Sequence, residues 1–391
     1  MTYVPPKVIH VVQNLDRGAV ENWLVRMLRF AVEHRVSVDW TFYCSLNRPG
    51  ALDTEARALG ARVVHSPVPI GESISFMRSL RHELRIRRYD VLHCHHDLVS
   101  AVYLVAAAGL PIRRRIVHVH NADRSVLTPN VLKQLLLRPL LRKICIMTSD
   151  RIVGISNHTL DTFLGSIARK PVRDLVVYYG VEQGRFVPDD SQRVRFRREL
   201  GFADDASIML FAGRMVPEKG PLFAVDVLAE MRQIDAKVVG LFVGSGSLDA
   251  AVQQRGEELG LGCGIFRYLG WRKNIQEIMG CCDLFILPRP ETPPEGFGLA
   301  VVEAQLAGLP MLLSLGIADD PLLPSARYRR VKLSEGARTW ALVGVELLHT
   351  AAPSRETANQ ELGLSGMDME RAFGNLIALH DPINSSWVGA H

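Results

Sequence analysis

Two carboxylates lie eight positions apart, one before and one after the start of an apolar helical pattern. Glu295 precedes a glycine-containing turn, and Glu303 lies inside the helix that follows it. The first N–H groups of a helix have no partner within it and attract phosphate, and a carboxylate in the helix can accept hydrogen bonds from two ribose hydroxyls. We therefore predict a sugar-nucleotide site in which Glu303 holds the ribose and Glu295 faces the sugar. The turn residues predicted to contact the ligand are Phe297, Gly298 and Leu299.

Two strand–loop–helix units must position these groups. Residues 282–288 read as a short apolar strand, 289–298 as a Pro/Gly-rich loop, and an apolar helix follows. Earlier in the chain, the apolar strand 208–212 precedes Arg214 and Lys219, so both cations are expected near the carboxyl end of a strand. Two cations at this position suit a phosphate-containing ligand. Each charged residue taken alone is more often a solvated surface group, and only the combined pattern favours the site.

Strand and helix patterns alternate along both halves of the chain, which predicts two doubly wound parallel α/β sheets. Ligands of such sheets bind beyond the carboxyl ends of the strands. The predicted strands are 7–12, 36–44, 62–65, 91–95, 115–120 and 151–155 in the first half, and 208–212, 237–243, 266–269, 284–287 and 310–313 in the second.

The segment from Glu295 to Glu303 resembles the E-x7-E signature of retaining GT-B glycosyltransferases of the family 4 type, also called glycosyl transferases group 1. The segment 211–220, which contains Arg214 and Lys219, resembles the part of that family in which an arginine and a lysine neutralise the donor diphosphate. The resemblance extends along most of the chain. It implies a GT-B fold, with two facing Rossmann-like domains and a cleft between them, and retention at the anomeric carbon.

This resemblance implies an acceptor-binding domain over 1–185, a nucleotide-sugar-binding domain over 186–368, and a helix with a tail, 369–391, that crosses back to the first domain. The loop after the first strand resembles the family's glycine-rich loop beside the donor phosphate. That loop normally carries two glycines, whereas here Gly18 is followed by Ala19. A phosphate contact at Gly18 and an ordinary turn both remain open.

Two His-x-His pairs, His93/His95 and His118/His120, end neighbouring predicted strands, and alternation places each pair on one strand face. Four imidazoles could bind zinc, but no carboxylate or thiolate completes a known spacing. The residues 115–121 resemble a family segment whose histidine contacts the transferred sugar, which implies that role for His120, with His118 as second choice. A hydrogen-bonded core position suits the inner members, His93 and His118.

The composition is that of a large two-domain α/β enzyme: 391 residues, 48% of them hydrophobic and 22% charged, with a net charge of +5. The basic residues come without a nucleic-acid recognition motif, so no nucleic-acid partner is expected. Six cysteines without a paired spacing indicate a reducing compartment, and neither a signal-peptide pattern nor a membrane-length apolar run is present. We expect a cytoplasmic protein.

No Asp-x-Asp motif occurs in the chain, so no ligand set for a metal bridged to the diphosphate is evident. We expect no metal and no cofactor, with a nucleotide-diphosphate sugar as substrate. The stretches 78–88 and 131–143 combine apolar residues with cations and allow two interpretations: peripheral contact with an anionic membrane at its inner face, or a core stripe through Leu132, Leu135, Leu136 and Leu140 with solvated cations.

The expected activity is transfer of a sugar to a glycan or lipid-linked acceptor in polysaccharide or lipid-linked glycan biosynthesis. Two alternatives share the fold: a non-catalytic partner subunit with a degenerate site, and a nucleotide-sugar epimerase or phosphorylase. The single glycine at Gly18 favours the first alternative, whereas Arg214, Lys219, Glu295 and Glu303 argue against it. The sugar, the base, the acceptor, the linkage and the oligomeric state are not determined by these motifs.

Overall fold

The structure is a computed structural model that describes residues 4–16, 18–121, 131–183, 189–292 and 294–381. The predicted domain boundary at 185 and nearly all of the predicted tail lie outside these ranges, as do the side chains of Leu132, Leu135 and Leu136. The contacts divide the chain into two compact units, one formed by Met1–Gly180 with Met369–His391 and the other by Val181–Asp368.

The first unit contains a parallel sheet whose central strands are buried on both faces. Such strands read as continuous apolar runs, and β1 is buried at every position after Lys7. In the described residues the order across the sheet is β3-β2-β1-β4-β5-β6-β7. The strands are β1 (Lys7–Val12), β2 (Asp39–Cys44), β3 (Arg62–His65), β4 (Val91–Cys94), β5 (Arg114–Val119), β6 (Arg151–Gly154) and β7 (Asp174–Val176).

Helices connect these strands and cover the sheet. The first of them buries Trp23, Leu24 and Leu28 on its apolar face. Another begins after Ser156, whose hydroxyl accepts a hydrogen bond from the Thr159 N–H at 3.0 Å and so caps the helix. The helices are α1 (Ala19–Glu33), α2 (Asp53–Ala58), α3 (Ser73–Arg87), α4 (Ser100–Ala106), α5 (Val131–Thr148) and α6 (Asn157–Leu164).

The second unit repeats this architecture, with the strand order β10-β9-β8-β11-β12-β13 across a parallel sheet of its described residues. The strands are β8 (Ser207–Ala212), β9 (Val238–Val243), β10 (Phe266–Gly270), β11 (Leu284–Leu287), β12 (Met311–Ser314) and β13 (Tyr328–Val331). The helices are α7 (Asp190–Glu199), α8 (Pro221–Ile234), α9 (Asp249–Glu258), α10 (Ile275–Gly280), α11 (Leu299–Leu306), α12 (Gly336–Leu348) and α13 (Arg355–Leu364).

The last helix, α14 (Met369–His380), belongs to the first unit. It buries Phe373, Leu376 and Leu379, and its last turn is tied to β5 by Arg114. The Arg114 guanidinium donates hydrogen bonds to the carbonyl oxygens of Ala378 and Leu379, at 3.3 and 3.0 Å. A cation on the last carbonyls of a helix also interacts favourably with the helix dipole.

The predicted fold class is confirmed, and the strand patterns located eleven strands of the two sheets to within a few residues. Two strands were not predicted. β7 is only three residues long, and β13 carries two arginines, so neither shows an apolar run; both lie at the edge of a sheet, where charged residues are common. None of the helices in the described ranges is long and apolar enough to cross a membrane.

The core-stripe interpretation of 131–143 is wrong for Leu140. Its exposed fraction is 54%, whereas the next residue, Leu141, is buried. Leu137 and Met147 on the same helix are also exposed. A helix whose apolar side chains alternate between the core and solvent presents part of its apolar surface outward.

Asp283, just before β11, ties the start of the second unit to its sheet. Its two carboxylate oxygens accept hydrogen bonds from Arg193 and Arg197 of α7, each at 2.7 Å, and one of them also accepts from the Ile208 N–H at 2.8 Å. We predict that Asp283→Asn lowers the free energy of unfolding by about 2 kcal/mol, because it leaves two guanidinium groups without their counter-charge. Urea denaturation checks this.

Asp204→Asn is the matched control. Asp204 also pairs with an arginine of α7, Arg198, but both side chains of that pair are largely exposed. The free energy of unfolding of the Asp204→Asn variant should stay near that of the parent chain, since exposed ion pairs contribute little to stability. Equal effects of the two substitutions would contradict the role assigned to Asp283.

Candidate active site

A cluster of charged side chains lies at the carboxyl ends of β8 and β11, and we call Lys219, Arg289 and Glu295 the charged cluster. Lys219 Nζ forms an ion pair with Glu295 Oε2, and Arg289 Nη1 lies 3.2 Å from the same oxygen. Arg289 Nη2 also donates to the Pro294 carbonyl at 3.0 Å. The three side chains are at most 16% exposed. The predicted residues Lys219 and Glu295 are thus in direct contact, although they are far apart in the sequence.

The cations outnumber the carboxylate in this cluster. Burial alone would raise the pKa of Glu295, but the charges of Lys219, Arg289 and Arg214 outweigh it and hold that pKa below its usual value. Burial lowers the pKa of Lys219, and the Glu295 carboxylate opposes this change. Arg214 is exposed and forms no ion pair with the described residues. Three cations facing one carboxylate leave a positive excess, which favours an anionic ligand.

Close backbone contacts bring these loops together. Gly220, at the start of α8, has a positive φ of 68°, and a Cβ atom there would lie 2.1 Å from the Pro288 carbonyl oxygen. Only glycine allows the loop after β8 to meet the end of β11 at this distance. The Glu295 N–H donates to the Gly316 carbonyl at 2.7 Å, and this bond holds the carboxylate against the loop after β12.

The predicted turn residues surround the start of α11. Gly298 is in the left-handed region, with φ 83°, and immediately precedes the helix, which has no side-chain cap at this end. Leu299 is the first helical residue. Phe297 is 1% exposed, so its side chain belongs to the core and only its backbone can face a ligand. Glu303 lies inside the helix and is 9% exposed.

Arg289 was not singled out from the sequence. It follows the strand β11 in a proline-rich loop and has no fixed spacing from either glutamate in the pattern that we used. Its position in the sequence could have identified it. Arg289 comes directly after a buried strand and opens the loop that contains Glu295, so both residues must lie at the same edge of the sheet.

His120 directly follows β5 in the first unit and is held through its backbone and both ring nitrogens. Its N–H donates to Asp97 Oδ1 at 2.8 Å, its Nδ1 lies 2.9 Å from the Tyr179 hydroxyl, and its Nε2 lies 3.0 Å from His95 Nδ1. Asp97 has a positive φ of 43°, which is unusual for a residue other than glycine. The orientation of the His120 ring is therefore fixed by the protein.

His120 is one end of a buried group of six histidines, which we call the histidine cluster. It comprises the four predicted histidines together with two that the sequence analysis missed, His10 on β1 and His380 on α14, and its members are His10, His93, His95, His118, His120 and His380. The ring nitrogens of neighbouring members lie 3.0 to 3.1 Å apart in the pairs His10–His95, His95–His120, His93–His118 and His93–His380. These are hydrogen-bonding distances between neutral imidazoles.

A carboxylate lies beside the Gly18 loop. Gly18 precedes α1, and a Cβ atom at this position would lie 2.1 Å from Glu21 Oε2. Burial raises the pKa of Glu21 to about 7. When ionised, this carboxylate would repel a phosphate at the loop. The contact predicted at Gly18 remains a prediction. Glu21 itself was not identified from the sequence.

Burial of the histidine cluster makes the stability of the protein depend on pH. Burial lowers the pKa of His120 from 6.5 to about 3, so the folded state holds the neutral ring while the unfolded state takes up a proton. The contribution of the neutral His120 ring to the free energy of unfolding is fully present above about pH 6.5, and it is lost as the pH falls below that value. We predict that His120→Gln reduces the slope of the unfolding free energy against pH, below about pH 6, by about 1.4 kcal/mol per unit.

Urea denaturation at a series of pH values, in buffer with a chelator, measures this slope. His82→Gln is the control, since His82 is exposed on α3, and its slope should match that of the parent chain. An unchanged slope in His120→Gln would contradict the assignment of a neutral, buried ring.

Comparisons with known proteins agree with this architecture. A family model described as Glycosyltransferase Family 4 matches residues 20–185, and one described as Glycosyl transferases group 1 matches residues 192–316. EpsF of Bacillus subtilis is 24% identical over 380 residues, which is 96% of each chain. An Escherichia coli protein named UDP-Gal:alpha-D-GlcNAc-diphosphoundecaprenol alpha-1,3-galactosyltransferase is 26% identical over 67% of each chain.

Solved structures share the fold. Anabaena Alr3699/HepE in complex with UDP and glucose superposes with a TM-score of 0.75 at 16% identity, over 95% of this chain and 98% of that one. WaaG, a glycosyltransferase involved in lipopolysaccharide biosynthesis, superposes with a TM-score of 0.68 at 16% identity, over 95% of this chain and 99% of that one. The chain thus belongs to the GT-B glycosyltransferases of the group 1, family 4 type, which transfer a sugar from a nucleotide-sugar donor.

Proposed function

We propose that this chain is a retaining glycosyltransferase that moves a hexose from a UDP-sugar to a hydroxyl of a lipid-linked glycan. The observation that supports the donor site is the excess of cations around Glu295 at the carboxyl ends of parallel strands. Arg214, Lys219 and Arg289 neutralise the donor diphosphate, and the N–H groups at the start of α11 bind its oxygens.

The two glutamates take separate roles in this proposal. Glu303, one turn into α11, accepts hydrogen bonds from the ribose hydroxyls. Glu295 contacts both of its cations through Oε2, and we assign Oε1 to a hydroxyl of the transferred sugar. The turn residues Phe297, Gly298 and Leu299 contribute backbone to the donor site.

In the first unit we assign His120 to the transferred sugar, through its backbone or its ring, and the Gly18 loop to the donor phosphate. Burial holds the His120 ring neutral and both of its nitrogens have partners in the protein, so the ring would contact the sugar through its face or edge and would not supply a proton. A donor phosphate oxygen takes the proton of the acceptor hydroxyl in this scheme. No metal is required, because the three cations supply the charge that a bound metal supplies elsewhere.

The choice of donor and acceptor class draws on the relatives. One named relative uses UDP-galactose with a diphosphoundecaprenol-linked sugar, and one structure of the same fold contains UDP and glucose. In this chain, Leu137, Leu140 and Met147 are exposed on α5 together with the cation Lys143. Exposed apolar side chains next to a cation suit peripheral contact with an anionic membrane, where a lipid-linked acceptor is found.

The first test is calorimetric titration of the purified chain with UDP, GDP and ADP sugars, with and without a chelator. We expect UDP-sugar binding that the chelator does not change. Arg289→Gln should weaken this binding by about tenfold or more, since a charge-assisted hydrogen bond to phosphate contributes about 1.5–3 kcal/mol.

Arg195→Gln is the matched control, because Arg195 lies on α7 with its side chain 71% exposed. The Arg195→Gln variant should bind the UDP-sugar with the same affinity as the parent chain. If Arg289→Gln bound UDP as tightly as the control, the diphosphate would not lie at the charged cluster.

The second test separates binding from transfer. We predict that Glu295→Gln binds UDP more tightly than the parent, by roughly tenfold, because a negative charge close to the phosphates is removed. Transfer should fall by about a hundredfold or more, because the sugar loses the carboxylate that orients it. Calorimetry with UDP and a transfer assay with a UDP-sugar and a lipid-linked acceptor measure the two effects.

Weaker UDP binding in Glu295→Gln would show that the carboxylate organises the cations instead of facing the sugar. The anomeric configuration of the product, read by NMR, tests retention separately. An inverted product would overturn that part of the proposal while leaving the donor site intact.

A further inference from the structure

Three imidazoles of the histidine cluster converge from elements that are far apart in the chain. His10 lies on β1, His93 on β4 and His380 in the last turn of α14. His10 and His93 are register partners on adjacent strands, and His93 Nδ1 lies 3.0 Å from His380 Nε2. Each of the three rings offers one nitrogen, and these nitrogens lie within 4.8 Å of one another.

The spacing is close to that of a tetrahedral metal site. Zinc–nitrogen bonds of about 2.0–2.1 Å place two ligand nitrogens about 3.4 Å apart. The facing nitrogens of His93 and His380 are 3.0 Å apart, so the two rings would have to separate by a few tenths of an ångström and turn until their lone pairs converge on the ion.

Two nitrogens of this group have no hydrogen-bond partner among the described residues, His10 Nε2 and His380 Nδ1. His10 Nε2 is buried and unpaired, while His10 Nδ1 faces His95 Nε2 at 3.0 Å. An unpaired buried nitrogen carries a desolvation cost that a metal bond would remove. A second group of three, His93, His95 and His118, lies equally close together and also contains an unpaired nitrogen, His118 Nε2. In that group both His93 and His95 have two paired nitrogens, whereas in the group that contains His10 only His93 does. Fewer hydrogen bonds therefore oppose a metal in the group that contains His10.

We propose that His10, His93 and His380 bind a zinc ion through His10 Nε2, His93 Nδ1 and His380 Nε2. This inference is independent of the donor site. It revises the expectation that the chain uses no metal, but only for this position; the donor site is still expected to work without one. The ion connects α14 to β1 and β4, so it is a structural clip for the C-terminal helix.

The remaining histidines complete the surroundings of the ion. With a metal on His93 Nδ1, the proton of His93 lies on Nε2 and is donated to His118 Nδ1, 3.1 Å away. The proton of His10 lies on Nδ1 and is donated to His95, which in turn donates to His120. A hydrogen-bond acceptor behind His10 and behind His93 fixes the tautomer of each ring and raises its affinity for the metal, whereas His380 Nδ1 has no partner among the described residues.

The protonation state also suits metal binding. Burial lowers the pKa of all three rings, so they are neutral at physiological pH, which is the form that binds metal. His380 also lines a groove with Pro5, Ser37 and Ile377.

Cobalt titration tests the proposal. The full chain, purified without a polyhistidine tag and stripped of metal by a chelator, is titrated with Co²⁺ while visible absorption is followed. We expect saturation at one ion per chain with the absorption of tetrahedral cobalt, displacement by Zn²⁺, and a higher melting temperature with Zn²⁺ than with chelator. His380→Gln and His10→Gln should each lose the absorption and the melting shift.

Two further variants make the result specific. His118→Gln changes only the group behind His93 and should weaken binding by about ten- to a hundredfold. His349→Gln is the control, because His349 is exposed beside Asp235 and represents a surface site; its titration should match that of the parent.

Circular dichroism in the presence of chelator shows whether each variant is folded. If either His380→Gln or His10→Gln does not fold, the other variant still tests the proposal. Absence of saturable binding to the parent chain would overturn the proposal. Binding that persists in both His380→Gln and His10→Gln would place the metal elsewhere and would overturn it as well.

Discussion

The second unit is organised around an incomplete charge balance. Lys219 and Arg289 are buried against a single carboxylate, Glu295, and Arg214 adds a third cation within electrostatic range. Burying a charge is costly unless an opposite charge compensates it, and here one carboxylate faces three cations. This excess of positive charge suits an anionic ligand. The loops after β8, β11 and β12 must therefore be held by backbone contacts that do not depend on the ligand, and the approach of Gly220 to Pro288 is one of these.

The first unit buries polar groups by a different rule. The members of the histidine cluster lie among apolar strands without a carboxylate partner among the hydrogen bonds that link them, and they satisfy one another as neutral donors and acceptors. Burial keeps them uncharged, as the lowered pKa of His120 shows. Acid below neutral pH therefore destabilises the first unit by protonating these buried rings on unfolding.

The sequence predicted the fold well because parallel strands that are buried on both faces appear as apolar runs separated by turns. It predicted individual residues of the candidate site from local spacing, but contacts between distant loops have no spacing signal. Lys219 and Glu295 were both named, yet their direct contact is visible only in the structure. Arg289 was missed for the same reason. His380 was missed because a histidine in a C-terminal helix gives no indication of which strand it will meet.

The hydrogen bonds of the histidine cluster also couple positions that are remote from one another. A neutral imidazole donates through one nitrogen and accepts through the other, so the direction of one bond sets the direction of the next. His10, His95 and His120 form such a series, which ends at the Tyr179 hydroxyl. The tautomer of His120, at the end of β5, is therefore decided together with that of His10 inside the sheet. The single hydrogen of the neutral His120 ring therefore lies toward either His95 or Tyr179, and the residues inside the sheet set which of the two it is.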